Sequence, residues 1–203
     1  MPDPSPELLF DGPAGGPPIA LAHGAGVGPQ HIAMVTLARE LASHGLRVVR
    51  FAFPYMAAGR SRPDRDDVLL DTWRAVIAAL GDPARLAISG RSLGGRMASI
   101  VADECGVRAL VCFAYPFHPP GKPETMRTEH LGDLRTPTLI VQGERDPFGN
   151  RDEVPGFGLP ERIRIAWITD GDHGYMPRKR SGVTIEENMA AAATAAATFL
   201  SQL

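Results

Sequence analysis

The chain has 203 residues, 44% of them hydrophobic, and a formal net charge of −2. That length fits one domain, with enough core to fold without disulfides or a structural metal. The near-neutral, interspersed charge excludes a strongly basic nucleic-acid binder. Gly (22) and Pro (19) make about a fifth of the chain, below the level that signals disorder.

The first 18 residues hold six prolines and read as an extended arm with one short edge strand, Leu8–Phe10. The opening Met1-Pro-Asp-Pro-Ser-Pro has neither the basic nor the apolar region of a signal peptide. Ile19–Ala22 reads as a buried strand. A helix is expected over Pro29–Ser43, with Met34, Leu37, Ala38 and Leu41 on one face. Arg47–Phe53 reads as a strand that Pro54 ends, and Asp66–Leu80 as a helix striped by Leu69, Trp73, Val76, Ile77 and Leu80. Arg85–Ser89 is a short strand, followed by a helix over Leu93–Glu104. Ala109–Phe113, Thr138–Gln142 and Ile163–Ile168 are further apolar strands. Thr184, with Glu187 three residues on, forms a capping box for a last helix running to about Leu200.

Short apolar strands alternating with helices predict a mostly parallel sheet covered on both faces, a three-layer α/β/α domain over 1–203. Ala114–Leu131 is the one long irregular stretch, too short for a cap domain. No apolar run is long enough to span a membrane. Cys105 and Cys112 read as buried free thiols of a reducing compartment rather than a disulfide. Together these features predict a cytoplasmic protein, monomer or homodimer, with no membrane or nucleic-acid partner and no metal or cofactor.

Gly90-Arg-Ser-Leu-Gly94 matches G-x-S-x-G. The bare pattern would arise by chance in roughly one such chain in eleven. Its context is more specific, because it follows a predicted strand and opens a predicted helix. A serine in that turn has its hydroxyl exposed above the sheet edge, and the helix N-terminus favours developing negative charge. Ser92 is therefore the candidate nucleophile. A serine hydroxyl needs a base, and the base needs an orienting acid. In this architecture they follow in the order Ser, Asp/Glu, His. Asp146 lies just after the strand Thr138–Gln142, and His173 just after Ile163–Ile168. Both are beyond the carboxyl end of a strand, where open α/β sheets place their ligands. Glu144, Asp152, Asp170 and Asp172 are rival acids, the last two too close to His173 in sequence to orient its ring easily.

Two backbone N–H groups are needed for a developing oxyanion. Leu93, after the nucleophile, is one candidate. Ala25 is the other, with Gly26 next, in the loop His23-Gly-Ala-Gly-Val-Gly28. His23 itself reads as structural. The spacing of that loop fits neither a dinucleotide fingerprint nor a phosphate-binding loop with lysine. Tyr115, Phe117 and His118 are expected to line an open, shallow cleft, with Arg91 beside the elbow and Phe148 and Tyr175 at its mouth. Arg96 is either an ion-pair partner or an attractor of anionic groups.

On these segments the chain resembles an α/β-hydrolase of the dienelactone-hydrolase-like group. It is most similar to a small family shared by bacterial hydrolases and the animal Tex30 and KANL3 proteins. The resemblance rests on Leu21-Ala-His-Gly-Ala-Gly26, Gly90–Ser99, the PFHPPGKPE run ending at Glu124, Gln142-Gly-Glu-Arg-Asp146 and Gly171-Asp-His173. Dienelactone hydrolases use a cysteine nucleophile where this chain has Ser92, so their substrate is not implied. The resemblance implies acyl transfer on a small-molecule ester, with thioester or peptide-bond cleavage sharing the same chemistry. The competing reading is a non-catalytic interaction module on the same fold.

Overall fold

The computed structural model describes residues 6–203. The start of the predicted arm, residues 1–5, lies outside them. Seven strands form one sheet in the order β1-β3-β2-β4-β5-β6-β7. They are β1 (Leu8–Asp11), β2 (Pro18–Ala22), β3 (Arg47–Phe51), β4 (Ala87–Arg91), β5 (Ala109–Phe113), β6 (Thr138–Gly143) and β7 (Ile163–Ile168). Only β1 runs antiparallel, on the edge beside β3. Arg50 in β3 pairs with Asp11 in β1 at 2.8 Å, which holds that edge.

The helices are α1 (Ile32–Ser43), α2 (Pro54–Ala57), α3 (Asp66–Leu80), α4 (Leu93–Cys105) and α5 (Ile185–Ser201). Alternation along the strands divides the core into two layers. Ala20, Ile88, Leu110 and Ile140 face α3 and α4, while Leu21, Ala87, Val111 and Leu139 face α1 and α5. The result is a three-layer α/β/α architecture. Ala114–Leu131 carries no cap domain, and its helical content is a 3₁₀ turn at Glu129–Gly132. Among the described residues no helix is long and apolar enough to cross a membrane.

Several element ends differ from the sequence reading, each for an identifiable physical reason. α1 begins at Ile32, not Pro29. A turn closed by the His31 N–H on the Gly28 carbonyl (3.0 Å) comes first, and the His31 ring caps the helix by accepting from Ala33 N (3.3 Å). β3 stops at Phe51 because the Phe53 N–H donates to the His23 ring (3.1 Å) rather than to a strand. That bond turns the chain into α2, which the sequence reading missed. β4 starts at Ala87, two residues late, because Pro83–Arg85 forms a 3₁₀ turn. It extends to Arg91, paired with Phe113 of β5. Thr184 and Glu187 form the reciprocal capping box at α5 (2.7 and 3.1 Å). Both cysteines are free; Cys105, at the end of α4, is only half-buried where burial was expected, and burial pushes the Cys112 thiol far up from its ordinary pKa.

Candidate active site

The site is built where β4, β6 and β7 end. Ser92 follows β4 directly and is the N-cap of α4, with φ 50° and ψ −115°. An L-residue avoids that conformation at a cost of about 1–3 kcal/mol. Two bonds hold it there: Ser92 N–H donates to Phe113 O (2.8 Å), and Ser92 O accepts from Arg96 N (3.0 Å).

The turn is tight enough to demand glycine on both sides. A Cβ on Gly90 would lie 2.4 Å from Gly94 C and 2.5 Å from Gly95 N. A Cβ on Gly94 would lie 2.6 Å from His23 O. These obstacles are backbone and cannot rotate away. Gly90→Ala is therefore expected to destabilise the fold by about 3 kcal/mol, the upper end of ordinary overpacking. A urea midpoint equal to wild type would contradict this packing.

His173 lies in the loop after β7, and Asp146 in the turn after β6. Ser92 Oγ is 2.9 Å from His173 Nε2, and Asp146 Oδ2 is 2.8 Å from His173 Nδ1. Because a carboxylate only accepts, Nδ1 carries the hydrogen, and Nε2 is left to accept from the serine hydroxyl. Asp146 is fully buried. Its Oδ1 accepts from Phe148 N (2.9 Å), and Oδ2 accepts a second bond from Gln142 Nε2 (3.0 Å).

The rival acids are committed elsewhere. Asp170 pairs with Arg145 (3.0 Å) and with Arg178, whose hydrogen bonds hold its carboxyl down to about 2. Asp172 Oδ1 accepts from the N–H groups of Gly174 (2.7 Å) and Met176 (3.0 Å). Glu144 accepts from Asp170 N (2.8 Å) and pairs with Arg151. Asp152 is exposed.

Residues that the sequence reading passed over support the relay. Gln142, fully buried at the end of β6, accepts from Tyr115 N (2.8 Å) and donates to Gly149 O (3.0 Å) as well as to Asp146. An amide at the inward end of an apolar strand was the available signal. Arg145 joins the two loops by donating to Asp170 O (2.9 Å) and Met176 O (3.0 Å).

The Gly24–Gly26 loop runs against the elbow, and a Cβ on Gly24 would lie 3.5 Å from Ser92 Cβ. Ala25 and Gly26 are exposed there. The Ala25 N–H makes no backbone hydrogen bond among the described residues. Leu93 is the first residue of α4, where N–H groups lack an intrahelical acceptor. His23 clips the loop from below. Its Nδ1 donates to Gly24 O (2.9 Å), Nε2 accepts from Phe53 N, and its ring meets Phe53 and Tyr55 edge-on. Burial lowers the His23 pKa, which keeps the ring neutral.

The expected cleft lining needs correction. Tyr115, Phe117, His118 and Tyr175 are at most 2% exposed and belong to the interior. The Tyr115 hydroxyl donates to Arg127 O (2.9 Å), and Phe117 packs between the Tyr115 and Phe157 rings. The His118 ring lies edge-on to Phe157. The Tyr175 hydroxyl donates to Val141 O (2.8 Å). Leaving such large rings in water would forfeit their burial energy, so the loop folds them under. Phe148 does reach the site, stacked on the His173 ring at 4.2 Å between centroids. Arg91 donates to the His173 carbonyl (3.1 Å) and so ties the elbow to the histidine loop. Arg96 pairs with Asp66 (3.2 Å). His31 and His44 are exposed, and His130 bonds Ser99 (2.8 Å), so none of these three belongs to the relay. Among the described residues no group of His, Cys, Asp and Glu is arranged to hold a metal.

Solved structures share this architecture. A serine hydrolase homologue from Coxiella burnetii aligns with a TM-score of 0.68 at 22% identity, covering 83% of each chain. A serine hydrolase without a lid from Xanthomonas campestris aligns at 0.68 and 21% identity, covering 93% of this chain and 88% of that one. Est1E from Butyrivibrio proteoclasticus, solved with ferulic acid bound, aligns at 0.71 and 14% identity over 97% and 96%. A family model for the alpha/beta hydrolase domain matches residues 17–201. The chain belongs to the alpha/beta hydrolase family.

Proposed function

We propose that this protein is a serine hydrolase that cleaves a carboxylic ester or thioester of a small molecule through an acyl-enzyme. The observation that carries the reading is the unbroken relay Ser92–His173–Asp146, with contacts of 2.9 and 2.8 Å. Binding alone requires no such relay, which weighs against a non-catalytic interaction module. Within the family, the extended elbow GRSLGGRMAS and the PFHPPGKPE segment support a place beside the bacterial hydrolases and the animal Tex30 and KANL3 proteins.

In the proposed reaction His173 Nε2 takes the Ser92 proton as Oγ attacks the substrate carbonyl. The carbonyl oxygen gains charge in front of the Leu93 and Ala25 N–H groups and the N-terminus of α4, where one such donor is typically worth about 3 kcal/mol. Asp146 holds the ring in the tautomer that can accept this proton and stabilises the imidazolium that forms. The tetrahedral species collapses, and Nε2 returns the proton to the leaving oxygen or sulfur. Water then enters, gives a proton to Nε2 and attacks the acyl carbon. The bond from the acyl carbon to Oγ then breaks, Nε2 gives that proton to Oγ, and the acid leaves with Ser92 restored. None of these steps needs a cofactor.

The test is labelling of the intact protein by a fluorophosphonate probe, followed by peptide mapping. One adduct on Ser92 is the expected result. A well-folded protein that takes no label would overturn the hydrolase reading in favour of the interaction module.

A further inference from the structure

A cavity of about 710 Å³ opens beside the histidine, between the first turns of α1 and α5 and the loop around His173. Ile32, Pro147, Met176, Ile185 and Met189 form its apolar wall. Ile32 is 69% and Met176 52% exposed, a large apolar area to leave facing water next to a reactive centre. Of its polar members besides Thr36, Arg91 is bonded to the His173 carbonyl, Asp172 to the N–H groups of Gly174 and Met176, and the His31 ring to Ala33 N. Glu186 is exposed and adds a negative charge at the edge. Such a wall suits an uncharged, apolar group.

Its position says which part of the substrate enters. His173 is in the wall, but Ser92, Leu93 and the Gly24–Gly26 loop are not. The space therefore adjoins the proton carrier and not the oxyanion donors. When the tetrahedral species collapses, the carbonyl oxygen faces those donors. The breaking C–O or C–S bond sends its electron pair to the leaving atom, which must face His173 Nε2 to be protonated. Whatever is attached to that atom lies on the histidine side. Phe148 covers one face of the imidazole at 4.2 Å, which narrows the leaving group's approach to the rest of the ring.

We infer that this cavity is the leaving-group site and that the preferred substrates are esters or thioesters of apolar, uncharged alcohols or thiols, with acyl selection elsewhere. The inference rests on the hydrolase reading above.

Two substrate series measured by acid release test it. In the first, acetates of straight-chain alcohols lengthen from methyl to hexyl. In the second, ethyl esters lengthen on the acid side. We expect kcat/KM to rise about fourfold per methylene along the alcohol series, the usual gain for burying a CH₂, and to stay within about twofold per methylene along the acyl series. Ile32→Ser and Met176→Ser, both at exposed positions, are expected to flatten the alcohol slope and leave the acyl slope as it was. Turnover with a flat alcohol slope, a steeper acyl slope, or alcohol slopes unchanged in both variants would overturn the inference while leaving the hydrolase reading intact. No turnover in either series overturns that reading, and this inference with it.

Discussion

Replacing Ser92 by alanine is expected to lower kcat/KM for short p-nitrophenyl esters by about 10⁴- to 10⁶-fold. The substitution removes the only hydroxyl within bonding distance of His173 Nε2 among the described residues. It leaves Asp146, the Leu93 and Ala25 amides and the Phe148 stack in place. Residual turnover would then come from water held against the same donors. The double variant Ser92→Ala/His173→Ala should be no slower than either single variant, because the two side chains act as one unit and their losses do not add. Alanine also meets the positive φ of position 92 with a Cβ like serine's, so folding should be little changed and the loss can be assigned to chemistry. Wild-type and Ser92→Ala proteins hydrolysing these esters equally would end the assignment.

Asp146→Asn should cost about 10⁴-fold in kcat. The shape is kept and the hydrogen-bond logic is reversed. Each Asp146 oxygen accepts from a neighbour: Oδ1 from Phe148 N, and Oδ2 from Gln142 Nε2 and His173 Nδ1. An asparagine NH₂ must face one of these donors whichever way it is placed. Where it faces the ring, it favours the tautomer with hydrogen on Nε2, which cannot accept the serine proton. A buried donor set against a donor also removes about 1–3 kcal/mol of stability. A melting curve run beside the kinetics separates the two effects. Kinetics within tenfold of wild type would assign the orienting role to another acid.

The parallel sheet was legible because its signal is repeated. Each strand is a short apolar run and each helix carries its own stripe, as with Leu69, Trp73, Val76 and Ile77 on α3. The relay was legible because strand-end positions in such a sheet converge, so Ser92, Asp146 and His173 needed only correct strand assignments. The missed parts depend on long-range contacts that no local pattern encodes. His23 reaches thirty residues along the chain to Phe53 N, which ends β3 early and starts α2. Tyr115, Phe117 and His118 read as a cleft wall because their loop is irregular and aromatic. Irregularity does not say which way a ring turns, and Tyr115 and Phe117 turn inward. Gln142 was visible only as the polar end of a strand, although it ties together Tyr115, Asp146 and Gly149.

A Cβ on Gly143 would lie 2.5 Å from the carbonyl oxygens of both Gly171 and Asp172, so the two loops that carry Asp146 and His173 are packed backbone to backbone. Arg145 N–H on Gly171 O (2.8 Å) and the Arg145 side chain fasten the same pair. Asp146 and His173 thus belong to one preassembled cassette behind the neighbouring strands β6 and β7. Ser92 sits on a separate part, the β4–α4 turn, and meets the cassette through the Ser92–His173 bond and the Arg91 tether. The Asp146–His173 contact is therefore set by the packing of these two loops, independently of the side chain that stands at position 92.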